Sequence, residues 1–521
     1  MPQSLPARGA ALLMALVAAL LLFRLGDVPL TGPDEPRYAR VAVEMGRSGD
    51  LVTPTLQGEP WLEKPALYYW LAAGAFGVFG ENEAAARLPS VLACLLTVGS
   101  AATFGARVYG SAAGLHTGFI LGTGLLAFAY GRAASMDMLV AAGVTMAIGL
   151  AGLRALRIAG SLAIPAAYLA AALATLAKGP LGFLLPALVL AAYLLLTRDR
   201  KLLRELASPL GLLLFLLVAG PWYALVYRAQ GQAFLDVFIL DHNVRRFTSE
   251  VHRHPGPPYY YLPVLLAGVF PWSGLVLPGL AALRARTSRA DLFVLLWLVA
   301  PLVFFSAAGS KLPGYVLPCL PPLALAMGRA ADRLLRRADF PAGTGPRAAA
   351  ALGLVVSALA ATSPFVLWRM GDPGWPQALP VAAWSLFTGF AFSRRVGADP
   401  GGALRVLRVS AGGLLLLLAS AAPSIIDRRE SGRRLFVPAR GREVLAWGAW
   451  RTAWMAGYFY NDGRVRPVER LEDVLERARN GAALVVCGAE ERRRLEALSS
   501  WRVRTLAEGP RGNVLMRVAA P

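Results

Sequence analysis

Long apolar runs, each close to the length of a bilayer crossing, alternate along this chain with shorter polar, arginine-rich intervals. Runs such as LLMALVAALLLF, LPALVLAAYLLL and LGLLLFLLVAG approach the roughly 17 to 25 residues a membrane helix needs. Counting runs between charged or Pro/Gly breaks predicts about thirteen spans. The first, Ala10 to Leu25, precedes no small-x-small cleavage site and reads as a retained anchor. Six more lie between Leu88 and Tyr227, among them Ala112 to Tyr130. After a polar loop a final six lie between Tyr259 and Ala421, including Tyr259 to Leu283 and Pro313 to Met327. From about Pro423 the pattern changes, with strand-like AALVVCG and NVLMRVA alternating with helix-like RLEDVLERA and EERRRLEAL. The expected fold is an all-α polytopic membrane domain over residues 1–422, followed by a small α/β domain over 423–521.

Composition supports this pattern. Of 521 residues 56% are hydrophobic and only 16% charged, against roughly 25% charged in a soluble domain, which excludes an ordinary soluble enzyme. The 53 basic and 32 acidic residues leave a formal charge of +21. Most of the excess falls in short loops rather than on one face that could hold nucleic acid, so no nucleic-acid partner is expected. With a cytoplasmic N-terminus, the inner loops carry Arg154 and Arg157, then Arg198, Arg200, Lys201 and Arg204, then Arg284, Arg286 and Arg289. Arg333, Arg336 and Arg337 follow, then Arg394 and Arg395, as the positive-inside rule requires. An odd number of spans puts the C-terminal domain and the polar stretches 26–87 and 228–258 on the outer side, which in a bacterium is the periplasmic face of the inner membrane. Cys94, Cys319 and Cys487 form no CxxC and no even framework. Only four of the 53 basic residues are lysines, Lys64, Lys178, Lys201 and Lys311, and each is a place to ask whether a compact ammonium is needed.

The first outer loop is the most informative segment, GPDEPRYARVAVEMGRSGDLVTPTLQGEPWLEKPALYYWL. A carboxylate there, beside a low-dielectric wall, can act as a general base when a substrate hydroxyl comes within reach; Asp34 is the candidate. The plainer reading is that Asp34 and Glu35 complement the start of a helix. WLEKPALYYWL suits an interfacial amphipathic helix with Lys64 at its polar start. Ionisable residues also stand near the outer ends of spans: Arg132 and Asp137, Lys178, and Lys311 with Tyr315. Charge at membrane depth defaults to a functional hypothesis, although snorkelling or a structural ion pair explains any one of them. Their shared sidedness makes a common site as good a reading as the plain one. The second outer loop offers His242, His252 and His254, whose spacing matches no standard zinc site, and Arg245 and Arg246, whose planar forks can grip a phosphate. There is no GxxxxGK[ST], HExxH or GxSxG, which removes the ATPase, metalloprotease and serine hydrolase readings.

The order of these motifs, PDEPRYA, GEPWLEKPALYYWL, NEAAARLPS, RAASMD, LAKGPLGFLLP, DHNVRRFTSEVHRHPGPPYYYLPVLLAGVFPWS and SKLPGYVLPCLPPLALAMG, resembles the bacterial GT-C glycosyltransferases. Within these it is similar to the superfamily of aminoarabinose transferases and protein O-mannosyltransferases. The resemblance covers roughly residues 10 to 330. It implies an enzyme that takes a sugar from a polyprenyl-phosphate (undecaprenyl-phosphate) donor and passes it, with inversion, to a lipid, glycan or protein acceptor on the outer face. It further implies Asp34, Lys64 and Asp137 as catalytic groups, with Glu35, Arg37, Tyr38, Glu63, Lys178, Arg246, Lys311 and Tyr315 lining the substrate. In the aminoarabinose transferases the Glu of the EKP motif joins a His of the second outer loop in a zinc site. Glu63 and His242 are the counterparts here, with Asp241 and His242 set in a different arrangement. No other cofactor is implied. Protein O-mannosyl transfer and secondary transport remain the alternatives, the latter weakened by the lack of internal repeats.

Overall fold

The structure is a computed structural model and describes residues 4–245, 256–284, 287–341 and 343–521. Among the described residues six helical stretches can, by length and composition, each cross a bilayer: Glu83–Tyr109, Asp137–Ala155, Arg200–Gln230, Arg289–Ala307, Pro346–Arg369 and Pro400–Arg429. Two bent pairs raise this to eight if each counts as one span. These are Ser111–Gly122 with Leu125–Gly131, bent by 61°, and Tyr261–Gly268 with Trp272–Ala282, bent by 114°. Four shorter apolar helices add to them: Ala7–Leu22, Leu67–Phe79, Ala163–Lys178 and Leu181–Thr197. This is a multi-pass membrane protein.

Three runs that read as single spans are broken for local reasons. The 112–130 run is interrupted at Thr123 and Gly124, where Gly124 is extended. The 259–283 run turns at Pro271, which has no N–H with which to continue a helical ladder. The 313–327 run starts as a 3₁₀ segment, Pro313–Cys319, with prolines at 313 and 318, and becomes α-helical only over Leu320–Leu335.

The compact units do not follow a single cut in the chain. One unit contains residues up to Phe23, Leu62–Tyr68 and Pro89–Leu418; the other contains Arg24–Trp61, Tyr69–Leu88 and Ala419–Pro521. In the first unit small residues let helices approach closely, the usual means of packing where lipid supplies no hydrophobic drive. A Cβ at Gly143 would lie 2.7 Å from the Ala174 Cβ and 2.9 Å from the Ala170 carbonyl oxygen. Helices Asp137–Ala155 and Ala163–Lys178 therefore touch along their backbones.

In the second unit the first-loop helix Asp34–Ser48 is followed by a two-stranded hairpin of β1 (Thr55–Leu56) and β2 (Glu59–Pro60). The C-terminal segment contributes β3 (Val444–Trp447), β4 (Val465–Val468), β5 (Ala483–Cys487), β6 (Arg502–Glu508) and β7 (Val514–Ala519), in the order β4-β3-β5-β7-β6. β3 is parallel to β4 and β5, whereas β7 is antiparallel to β5 and β6. The predicted strand-like runs AALVVCG and NVLMRVA contain β5 and β7, and the helix-like runs form Leu471–Arg479 and Ala489–Glu496. Continuous burial along β3 and β5 follows from a sheet covered on both faces. Val444, Ala446, Leu484 and Val486 pack with Leu435 and Phe436 on one side; Leu445, Val485 and Cys487 pack with Val474 and Leu495 on the other.

Candidate active site

The first unit holds a cavity of about 340 Å³ lined by Glu63, Lys64, Lys178, His242, Ser310 and Tyr315, with apolar walls that include Leu181, Phe238 and Phe305. The charged groups around Lys178 are placed by local features. Asp137 opens helix Asp137–Ala155 and Lys178 closes helix Ala163–Lys178, so each charge complements the helix end it occupies. The backbone contact at Gly143 holds these two helices side by side. Lys178 Nζ forms an ion pair with Asp137 and lies 5.1 Å from the centroid of the Tyr315 ring. That ring sits 5.5 Å from Phe305, which ties the cation to the apolar wall. Lys64 is buried, and its Nζ donates to the Glu63 carbonyl at 3.0 Å. Lys311 is also buried and donates to the Ala308 carbonyl at 2.7 Å. Its neighbour Ser310, rather than Lys311, lines the cavity.

The Asp34 group belongs to the second unit. Asp34 opens helix Asp34–Ser48, its side chain is half exposed, and it pairs with Arg37 one turn on. Arg37 is buried, donates from Nε to the Pro33 carbonyl at 2.8 Å, and lies 5.0 Å from the centroid of Trp61. Tyr38 packs edge-on to Tyr69 at 6.3 Å. Glu35 has a different place. Its carboxylate accepts from Thr31 N at 2.7 Å, from Thr31 Oγ1 at 3.0 Å and from both Nε and Nη2 of buried Arg87. Arg87 also donates to the carbonyls of Leu25, Val28 and Pro29. Glu35 and Arg87 thus fasten the first loop, and nothing in this arrangement leaves Glu35 oxygens directed at a substrate.

Of the residues singled out in the sequence, Glu63, Lys64, His242, Lys178 and Tyr315 meet at one cavity, and Asp137 is joined to it through Lys178. Asp34, Glu35, Arg37 and Tyr38 lie in the other unit. Arg246, His252 and His254 lie outside the described residues. Among the described residues the implied zinc would find only two donors together. His242 Nε2 stands 3.7 Å from Glu63 Oε1, and among the described residues no group of three or more His, Cys, Asp or Glu side chains could hold a metal. Tetrahedral zinc takes three or four protein ligands, so no step is assigned to a metal.

Sequence reading missed Ser310, the wall residues Phe238 and Phe305, and Tyr130. A Cβ at Gly314 would come within 2.9 Å of the Tyr130 hydroxyl, so the glycine next to Tyr315 admits a second tyrosine beside it. The residue pattern carried no signal for this, because Tyr130 and Gly314 are far apart in the chain.

Residues 63–224 match the family described as dolichyl-phosphate-mannose-protein mannosyltransferase. An undecaprenyl phosphate-α-4-amino-4-deoxy-L-arabinose arabinosyl transferase of Sodalis glossinidius is 36% identical over 416 residues, covering 75% of this chain and 73% of the relative. The transferase of the same name from Pseudomonas paraeruginosa is 37% identical over 365 residues, covering 66% and 64% of the two chains. The crystal structure of ArnT from Cupriavidus metallidurans bound to undecaprenyl phosphate superposes with a TM-score of 0.78 over 98% of both chains, at 24% identity, a likeness of fold.

Proposed function

The chain belongs to the undecaprenyl phosphate-α-4-amino-4-deoxy-L-arabinose arabinosyl transferase family, and from that premise we propose that it moves a sugar from undecaprenyl phosphate to lipid A on the periplasmic side of the inner membrane. It is an integral membrane glycosyltransferase. The observation that carries the donor assignment is the cavity that sets Lys64 and Lys178 against apolar walls. Cations at a low-dielectric wall suit an amphiphile with a phosphate head and a hydrocarbon tail.

The chemistry fits these residue types. An acceptor oxygen attacks the anomeric carbon as the bond from that carbon to the phosphate oxygen breaks. The bonding pair stays on the leaving phosphate, which changes from a singly charged diester towards a doubly charged monoester. Lys64 and Lys178, already in place, stabilise that growing charge. Tyr315 fixes the Lys178 ammonium through its ring, and Asp137 anchors the same ammonium. Where the acceptor is a hydroxyl, its proton must leave, and Asp34 is the proposed carboxylate that takes it. Where the acceptor is a phosphate, as on lipid A, the attacking oxygen is already anionic near neutral pH and needs no base.

The test is mass spectrometry of lipid A, surface polysaccharide and envelope proteins from cells with and without the gene, and from cells carrying Lys64→Ala. The expected result is an aminopentose mass increment on lipid A that is present only with the unaltered gene. An increment on protein or polysaccharide instead would replace the acceptor, and the absence of any difference would overturn the assignment.

A further inference from the structure

The donor cavity has one polar group that the charges and rings described above do not use. Ser310 is 1% exposed, its Oγ is fully buried, and among the described residues it has no hydrogen-bond partner. It lines the same cavity as Lys64 and Lys178. A serine usually escapes this state by donating back to a carbonyl three or four residues earlier in its own helix. Ser310 makes no such bond; it stands between the end of helix Arg289–Ala307 and the 3₁₀ turn that starts at Pro313. The nearby Ala308 carbonyl already accepts from Lys311. A buried hydroxyl without a partner costs stability, so a partner is expected from whatever fills the cavity. The groups beside it decide which kind. Lys64 and Lys178 bring two ammonium groups to the cavity, Lys178 anchored by Asp137 and with Glu63 the carboxylate among the described lining residues, and a hydroxyl can donate its proton to an anion that these cations hold.

Resting on the donor reading above, we infer that Ser310 is a phosphate-binding residue of this cavity, its Oγ turning about χ1 onto the cavity wall and donating its proton to an oxygen of the lipid-linked phosphate. The hydroxyl then holds the phosphate, not the sugar. It contributes equally to the donor and to the polyprenyl phosphate that remains after transfer. Lys311 acts behind it as a positioning residue, holding the Ala308–Lys311 turn through the Ala308 carbonyl.

The experiment uses the purified full-length enzyme in nanodiscs and measures binding of undecaprenyl phosphate and of the neutral alcohol undecaprenol to the wild type and to Ser310→Ala. A hydrogen bond to a charged group is worth about tenfold or more in affinity. The expected result is a loss of about that size for undecaprenyl phosphate, with undecaprenol binding unchanged. Equal phosphate binding by the two proteins would overturn the inference while leaving the donor reading intact. An equal loss for phosphate and alcohol would overturn it as well, because it would mark a change of packing. A wild type that binds undecaprenyl phosphate no better than undecaprenol would overturn the donor reading and this inference together.

Discussion

The two units place their charges in different surroundings. In the cavity of the first unit a few cations stand among aromatic and aliphatic walls, with Glu63 the one carboxylate among the described lining residues and Asp137 paired with Lys178. In the second unit arginines and carboxylates close on each other. Asp462 accepts from both Arg40 and Arg47, Arg40 also pairs with Glu44, and Arg47 with Glu81. Arg433 pairs with Glu83 and Asp427. The Tyr460 hydroxyl donates to Glu83 and accepts from the Leu30 amide. A pocket of about 640 Å³ lined by Arg40, Arg47, Glu81, Glu83 and Arg433 is therefore polar but largely self-neutralised. The same residue types thus serve two ends. Where cations face apolar walls they favour an incoming anion, even with Lys178 anchored by Asp137, and where arginines and acids form a network they tie distant stretches of chain together.

Asp34 is also paired, with Arg37, but its side chain is half exposed, and with a hydroxyl acceptor changing it should give the largest effect. With a hydroxyl acceptor, Asp34→Asn should lower turnover by about 10² to 10⁴-fold, the range of a lost general base. With a phosphate-bearing acceptor the rate should stay within a few-fold. Initial rates of purified enzyme with the two acceptor classes measure this, and equal losses with both would remove Asp34 from proton transfer.

The next effect concerns stability alone. Arg87→Met leaves Glu35 buried without its cation, and breaking such a pair costs about 3 to 5 kcal/mol. Thermal unfolding should show the loss, and the double variant Arg87→Met with Glu35→Leu should recover much of it. Full stability in the single variant would show that the pair does not hold the loop.

Lys64→Ala probes the other side of the comparison. Losing one preorganised cation should cost about 2 to 4 kcal/mol at the transition state, a fall in kcat/KM of about 30- to 1000-fold, without the unfolding seen for Arg87. An unchanged rate would detach the cavity from the chemistry.

The smallest effect should come from the exposed network. Desolvation works to raise the Asp462 carboxyl, but hydrogen bonds from Arg40 and Arg47 outweigh it and hold the group below the ordinary carboxylate value. A depressed folded value means that the contribution is present above the unfolded pKa of about 4 and is lost as pH falls through the folded value. Asp462→Asn should therefore cost no more than about 1 kcal/mol at neutral pH. Melting curves of variant and wild type should converge on acidification below pH of about 4, while the KM for donor stays unchanged. A difference in stability that persists at low pH would assign it to something other than this carboxylate.

Much of the cavity's polar lining was legible in the sequence because its signals are local. A lysine stands out among arginines. Three of the four, Lys64, Lys178 and Lys311, fall at or beside the cavity. Asp137 and Lys178 were readable as charges at the ends of apolar runs, where burial demands a partner or a task. Glu35 was legible only as an acid near a helix start. Its bond to Arg87 depends on a residue 52 positions away, and no spacing rule reaches that far.

The sequence by itself determined the membrane class, the strand-and-helix alternation of the last hundred residues and the residue types of the site. Each of these follows from periodicity, run length or the cost of burying charge, which are properties of neighbouring residues. Tertiary structure alone decided that Arg24–Trp61 and Tyr69–Leu88 fold with the C-terminal segment, while Leu62–Tyr68, carrying Lys64, folds with the membrane helices. It also decided that Ser310, unremarkable in the chain, is a buried hydroxyl on the cavity wall. The reason is the same in both cases: which polar group is left to seek a partner depends on what surrounds it in space, and neighbours in the chain do not fix that.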